Sequence, residues 1–388
     1  MKKVILKDVA KIVIGISAPK KFIEKNELNA VPFIRAGLLE NLCNGKAEFI
    51  EFLDKLKYKT VPKNTIIFAK SGMSALKDRV FCLNEESVIV GHLAGVICSD
   101  KVYYKYIEYY LKYNKPSKLN QNDSYPSIRT EDIENIILML PELEEQKEIS
   151  HKLDSLKNII TIRKQQIESL EQLVKSQFVE LFGDAKSNDK NWIKDVMGKY
   201  LTILTDFSSN GSYKSLDSTV KMYDEPNYAY MVRTIDLENE DYKNNVKYIT
   251  EDAYNFLSKS KVYPNDIIMN KIGSAGKVYI MPDLGMPVSL GRNAFLFRYT
   301  NEINPVFIYY LLKSDYGVTE IAQYVRGAVT KTITKDDARK IKIIVPPIEL
   351  QNQFAEFVKL IDKQKFEIEK SLKEMEELYD SLMEEYFG

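Results

Sequence analysis

Among its 388 residues the chain has two histidines, His92 and His151, and three cysteines, Cys43, Cys82 and Cys98. An odd number of cysteines without C-x-x-C spacing argues against a disulfide scaffold. So few histidines leave little material for a zinc site or a Ser-His-Asp triad. This usage suits a reducing cytoplasm, and a cytoplasmic location is expected. An excess of either charge is also missing: Lys plus Arg and Asp plus Glu both total 55. No global field therefore marks a partner, although local basic faces can sit inside a balanced sum. No segment approaches the roughly 20 apolar residues of a membrane span, so no membrane partner is expected. The opening MKKVILKDVAKIVIG carries Asp8 and no small-residue cleavage site, so it does not read as a signal peptide.

What the sequence has is an internal repeat. Setting Gln146 against Gln351 gives an offset of 205 that runs without a gap through the long segment after each: Pro141 meets Pro346, Glu144 meets Glu349, Ser176 meets Ser381, and the Phe182-Gly183 ending meets Phe387-Gly388. Upstream the offset drifts. LKDV at Leu6 resembles IKDV at Ile193 (187), Arg35 lines up with Arg233 (198), and IIFAKSG at Ile66 resembles IIMNKIG at Ile267 (201). Loops that gain and lose residues between fixed elements produce such drift. The stretch GSYKSLDSTVKMYDEP in the second half has no counterpart in the first.

Each half reads as an α+β globular region followed by one long helix. Short β-rich runs such as NTIIFA, DIIMNK and NAFLFRY are punctuated by Gly, Pro, Asn and Asp. Apolar residues at alternating spacings of three and four run through Ile149, Leu153, Leu156, Ile160, Ile167, Leu170 and Val174, with Arg163 in the one gap, and again through Phe354, Val358, Ile361, Ile368, Leu372, Met375 and Tyr379, with Lys365 in its gap. That heptad seam predicts a coiled coil between the two helices; the competing reading is two amphipathic helices, each resting on its own domain. The expected organisation is a globular domain over 1–141, a spacer helix over 142–184, a second domain over 185–346 and a second helix over 347–388.

Catalytic motifs are weak. Gly273-Ser-Ala-Gly276-Lys277 lacks P-loop spacing and has no hydroxyl after its lysine. Asn304-Pro305-Val306-Phe307 is a degenerate form of the N-P-P-[FY] box of amino-methyltransferases, and a helix start explains it as well. His92 lies in an apolar run and reads as structural. More telling are polar, Gly-containing loops that recur at matching places: Ala69 to Arg79 with Asn270 to Lys277, and Tyr113 to Ser127 with Val325 to Lys335. Small residues let a backbone approach a phosphate, while Lys, Arg and Asn can bond to phosphates or base edges.

Tandem globular halves, each closed by a helix opening with P-x-x-E-x-Q (Pro141 to Gln146, Pro346 to Gln351), together with the II-x-x-K-x-G runs at Lys70 and Lys271, resemble the DNA-specificity (S) subunit of type I restriction-modification systems. The resemblance covers essentially the whole chain. It implies two target recognition domains separated by a pair of long antiparallel helices, each domain reading one half of a bipartite, asymmetric double-stranded DNA site. It implies no catalysis in this chain. Two methylation subunits that bind S-adenosylmethionine would dock on it, joined by restriction subunits that use ATP and Mg. On this reading the residues expected near DNA are Arg35, Lys70, Ser71, Ser74, Lys77 and Tyr125 in the first half. In the second they are Arg233, Lys271, Ser274, Lys277, Arg292, Asn293, Thr330 and Lys331. Arg35 and Arg233 would share a phosphate-positioning job, and His92-Leu93 against Arg292-Asn293 is a place where specificity would differ. A catalytic amino-methyltransferase and a coiled-coil protein-binding adaptor are the alternatives.

Overall fold

The computed structural model describes residues 2–46, 48–121 and 125–388. Two compact units emerge, Met1–Gln165 with Glu369–Gly388, and Gln166–Ile368. The division cuts both 40-residue helices, the central helix Leu143–Phe182 and the C-terminal helix Ile348–Phe387. The expected boundaries set those helices apart as spacers, whereas each compact unit takes in half of each.

Burial of the helix ends is the cause. In the first unit Ile149 and Leu153 of the central helix share a core with Met383 and Phe387 of the C-terminal helix. In the second, Val174, Phe178 and Phe182 share one with Phe354, Val358 and Ile361. The start of one helix thus meets the end of the other, so in each unit the pair runs antiparallel. Between these ends Leu156, Ile160, Ile167, Leu170, Ile368, Leu372 and Met375 are only half-buried. Ion pairs Lys164–Glu376 (2.8 Å) in the first unit and Lys365–Glu171 (2.6 Å) in the second link helix to helix. Both sequence readings therefore contribute: the helices pair, and their ends also rest in globular cores.

The units repeat one topology. In the first, strands Ala10–Ile14, Leu93–Cys98, Ile66–Ala69 and Val80–Cys82 form an antiparallel sheet in that order. Leu201–Asp206, Ala294–Tyr299, Ile267–Asn270 and Val278–Ile280 do the same in the second. A second sheet in each unit contains a parallel pair, Ala30–Ile34 with Val88–Ile89 and Ala229–Val232 with Val288–Leu290. A short ribbon completes each: Lys2–Ile5 with Ile137–Leu140, and Ile193–Val196 with Lys342–Val345.

Register corrects one sequence correspondence. Lys2 pairs with Leu140 and Ile193 with Val345, and Val345 lies 205 beyond Leu140, so Ile193 stands where Lys2 stands. The upstream offset is therefore 191, not 187. The LKDV at Leu6 is mostly the 3-10 turn Leu6–Asp8, while IKDV is the strand itself. The likeness of these four letters is fortuitous, because a short string carries no register.

The repeated P-x-x-E-x-Q has a physical reason. Gln146 is 1% exposed; its Nε2 donates to Pro141 O (2.9 Å) and its Oε1 accepts from Tyr103 N (2.9 Å). Gln351, fully buried, donates to Pro346 O (2.8 Å) and Glu302 O (3.0 Å) and accepts from Asn304 N (2.8 Å). Tyr103 and Asn304 are the N-caps of helices Tyr104–Asn114 and Pro305–Lys313. One amide side chain thus satisfies the end of a strand and the start of a neighbouring helix, groups that would otherwise be buried without partners. Those two helices also receive the helix-terminal phenylalanines: Phe387 lies 5.1 Å from the Tyr106 ring, and Phe182 lies 4.7 Å from Phe307.

Candidate nucleic-acid interface

In each unit a central strand of the antiparallel sheet runs out into a lysine, and three backbone bonds fix the loops around that lysine. Lys70 N donates to His92 O (2.9 Å), Gly72 N to Pro126 O (2.9 Å) and Ile128 N to Lys70 O (2.7 Å). Lys271 N donates to Asn293 O (2.8 Å), Gly273 N to Lys331 O (2.9 Å) and Ile333 N to Lys271 O (3.0 Å). Loops far apart in sequence are therefore brought together twice by the same scheme. The bonds also set the register. Asn293 corresponds to His92 and Arg292 to Gly91, so the pairing of Arg292-Asn293 with His92-Leu93 is off by one. His92 itself is not in the strand; it is exposed at the turn before Leu93–Cys98, with Nδ1 2.8 Å from Ser71 Oγ.

The second unit presents a finger. Arg326 N donates to Thr332 O (2.9 Å) and Thr332 N to Arg326 O (2.8 Å), closing a narrow ribbon whose tip residue Val329 is 97% exposed. Gly327 has φ +103°, and a Cβ there would meet Thr330 O at 2.2 Å, so only glycine closes this turn. Thr330 and Lys331 are exposed beside the tip. The corresponding loop of the first unit contains Tyr125, 64% exposed; Asn122, Asp123 and Ser124 of that loop lie outside the described residues.

An open cleft in the same unit is lined by Asp206, Ser208, Ser209, Lys271, Phe295 and Lys335. Asp206 is 6% exposed and accepts from Lys271 Nζ (2.7 Å), Lys335 Nζ (2.8 Å) and Ser209 Oγ (2.6 Å). Burial by itself would raise its pKa, but the lysines and Ser209 hold the carboxyl down at about 2. Three segments are pinned together by this one charge. Strand pairing puts Ile14 in the first unit where Asp206 stands, and Thr130 where Lys335 stands, so the ionic pin is absent there.

Several expected contact residues are already engaged. Arg35 donates both Nε (2.6 Å) and Nη2 (3.0 Å) to Glu51, above the rings of Phe22 and Phe33. Arg233 forks onto Asp236 (3.1 and 2.6 Å) and reaches Asn245 O (2.6 Å). Arg233 braces the turn after its strand, whereas Arg35 ties the end of its strand to Glu51 beside the neighbouring strand Phe52–Asp54. Ser274 donates to Glu238, and Lys271 is held by Asp206. Lys77, Lys277, Thr330 and Lys331 are exposed, while Lys70, Ser71 and Ser74 are half-buried at the rim. Arg292 stands at the turn beside Asn293, whose φ is +70°. Sequence reasoning missed Asp206, Lys335, Tyr213 and Asp217. An acid in place of Ile14 was the available signal for the first, but only once the bulge between Leu201 and Ile203 adds a residue to the register.

Asn304, the residue behind the methyltransferase alternative, is a helix N-cap: its Oδ1 accepts from Val306 N at 2.9 Å. No group of three or more His, Cys, Asp or Glu able to hold a metal ion occurs among the described residues, and no helix there is long and apolar enough to cross a membrane.

The family model described as "Type I restriction modification DNA specificity domain" matches residues 1–172 and 204–377. The MjaVIII specificity subunit of a type I restriction enzyme from Methanocaldococcus jannaschii is 27% identical over 64% of this chain and 62% of its own length. The EcoBI specificity subunit from Escherichia coli is 22% identical over 81% of this chain and 70% of its own. The matched stretch thus spans less than two thirds of the archaeal relative. Among solved structures, the S subunit of a type I restriction-modification system from M. genitalium is similar across the whole chain and 96% of its own, with TM-score 0.62 at 15% identity, a likeness of fold. With the family model matching both halves, this chain belongs to the type I restriction modification DNA specificity domain family.

Proposed function

We propose that this chain is the non-catalytic DNA-recognition subunit of a type I restriction-modification complex, each unit reading one half of a bipartite double-stranded site. One observation carries the reading. The same three backbone bonds build a loop cluster in both units, yet the exposed side chains on the two clusters differ. A common frame with unlike contact residues suits two unlike half-sites, since phosphate contacts position a protein and base contacts specify the sequence. Residues in the contact set are Lys70, Ser71, Ser74, Lys77 and Tyr125 in the first unit, and Lys277, Arg292, Asn293, Thr330 and Lys331 in the second. Arg35, Arg233, Lys271 and Ser274 shape the face from behind.

The two unbroken helices act as the spacer between half-sites. Readers on one face of a duplex sit about one helical turn, roughly 34 Å, apart, and a stiff helix pair holds such a distance where a flexible linker does not. Two methylation subunits carrying S-adenosylmethionine and methylating adenine are the partners in this scheme, with ATP- and Mg-dependent restriction subunits joining them in the cytoplasm. Mapping methylated adenine in cells that carry this chain with its methylation partner tests the proposal. A bipartite motif with unlike halves and a fixed spacer is expected; a palindrome, or no motif, would overturn it.

A further inference from the structure

The second unit holds an arginine in a cage. The Arg292 guanidinium carbon lies 5.4 Å from the Phe207 ring centroid and 5.5 Å from that of Tyr213, and Nη2 donates to Asp217 Oδ1 at 3.3 Å. Phe207 is buried, so it forms the fixed floor. Tyr213 and Asp217 come from helix Tyr213–Thr219, within the stretch that the first unit lacks. That helix is tied down by Leu216 in a small core with Phe207, Ala229 and Met231. Where Arg292 stands, the first unit has Gly91 and no side chain at all.

Two features of the cage bear on what it binds. The buried Phe207 ring and the exposed Tyr213 ring flank the guanidinium and restrict its swing, which lowers the entropy lost when its remaining N–H groups meet a partner. Asp217 beside it makes the site unfavourable for a phosphate, whose charge the carboxylate repels. A guanine edge carries no net charge and offers two acceptors, O6 and N7, at the spacing of a planar fork. The turn itself adjoins the loop cluster through the bond from Lys271 N to Asn293 O.

We propose that Arg292 reads a guanine in the half-site of the second unit, and that Tyr213 and Asp217 are positioning residues that hold its guanidinium for that base. The extra stretch of residues 211–226 is then part of the specificity machinery. This inference rests on the reading that the unit binds duplex DNA.

The test uses the full chain assembled with its methylation partner. Its site is first selected from randomised duplexes, and each guanine is then replaced in turn by 7-deazaguanine, which lacks the N7 acceptor. Wild type is expected to lose roughly tenfold in affinity at one guanine of one half-site. Arg292→Met keeps the length but removes every donor, so it should bind weakly and show no further loss with the analogue. Tyr213→Ala and Asp217→Asn should shrink the penalty at that same position, and Tyr213→Phe should restore it. If Arg292→Met retains the full penalty, the assignment of the guanine reader is wrong while DNA recognition stands. An undiminished penalty in Tyr213→Ala and Asp217→Asn removes the positioning role. Failure of wild type to select any duplex overturns both this inference and the function beneath it.

Discussion

The two units build the same kind of loop cluster from different chemistry. Where the first has Ile14 and Thr130, the second has Asp206 and Lys335, and the Asp206 carboxylate accepts from both Lys335 and Lys271. Where the first has Gly91, the second has Arg292 with its aromatic cage. What stays constant is backbone: the bonds from Lys70 and Lys271, Gly72 and Gly273, Ile128 and Ile333. A frame held by main-chain bonds tolerates almost any side chain around it, so the face can change its chemistry without changing the fold.

The helix-terminal phenylalanines offer the harshest way to break this equivalence. Phe182 is 1% exposed and Phe387 is 7% exposed. Truncation of either to alanine is expected to cost about 3–5 kcal/mol, with Phe182→Ala the more damaging, as urea denaturation would measure. The second unit should open first in Phe182→Ala and the first unit in Phe387→Ala. Identical behaviour of the two variants in local hydrogen exchange would show that the ends are not equivalent plugs of separate cores.

Next in size are the two glutamines. Gln351 makes three bonds and Gln146 two. Each change to alanine takes a partner from backbone groups that are mostly only part-buried, at about 1 kcal/mol per group. Gln351→Ala should therefore melt below Gln146→Ala; the reverse order would deny the clamp its role.

Acid sharpens the contrast further. The Asp206 carboxyl is held at about 2 in the folded protein, below the roughly 3.9 of an unfolded aspartate. Its contribution is fully present above about pH 4 and is lost as pH falls through 2, amounting to about 2 kcal/mol in the second unit alone. Asp206→Asn should lower neutral-pH stability by a similar amount and flatten the acid dependence of the second unit, while leaving the first unit untouched. An unchanged acid profile would place Asp206 outside the stability of this unit. The smallest expected effect is on the exposed finger: Lys331→Ala should reduce the slope of log affinity against log salt by about one, without altering melting.

Much of the architecture was legible in the sequence, because the 205 offset through both long helices is ungapped and a helix cannot absorb insertions. Loops were harder. LKDV and IKDV share letters without sharing register, and a one-residue slip hides the equivalence of Arg292 with Gly91. Arg35 and Arg233 are matched as equivalents by sequence, but their partners Glu51 and Asp236 set what the guanidiniums can do. A sequence names a cation; it does not show which carboxylate already holds it.

On the proposed function, each unit reads its own half-site through loops on a shared frame. Adenine-methylation mapping of a Thr330→Ala/Lys331→Ala variant tests this most directly. One half of the recognised motif is expected to relax while the other half and the spacer stay as in wild type. A change in both halves, or an unaltered motif, would contradict it.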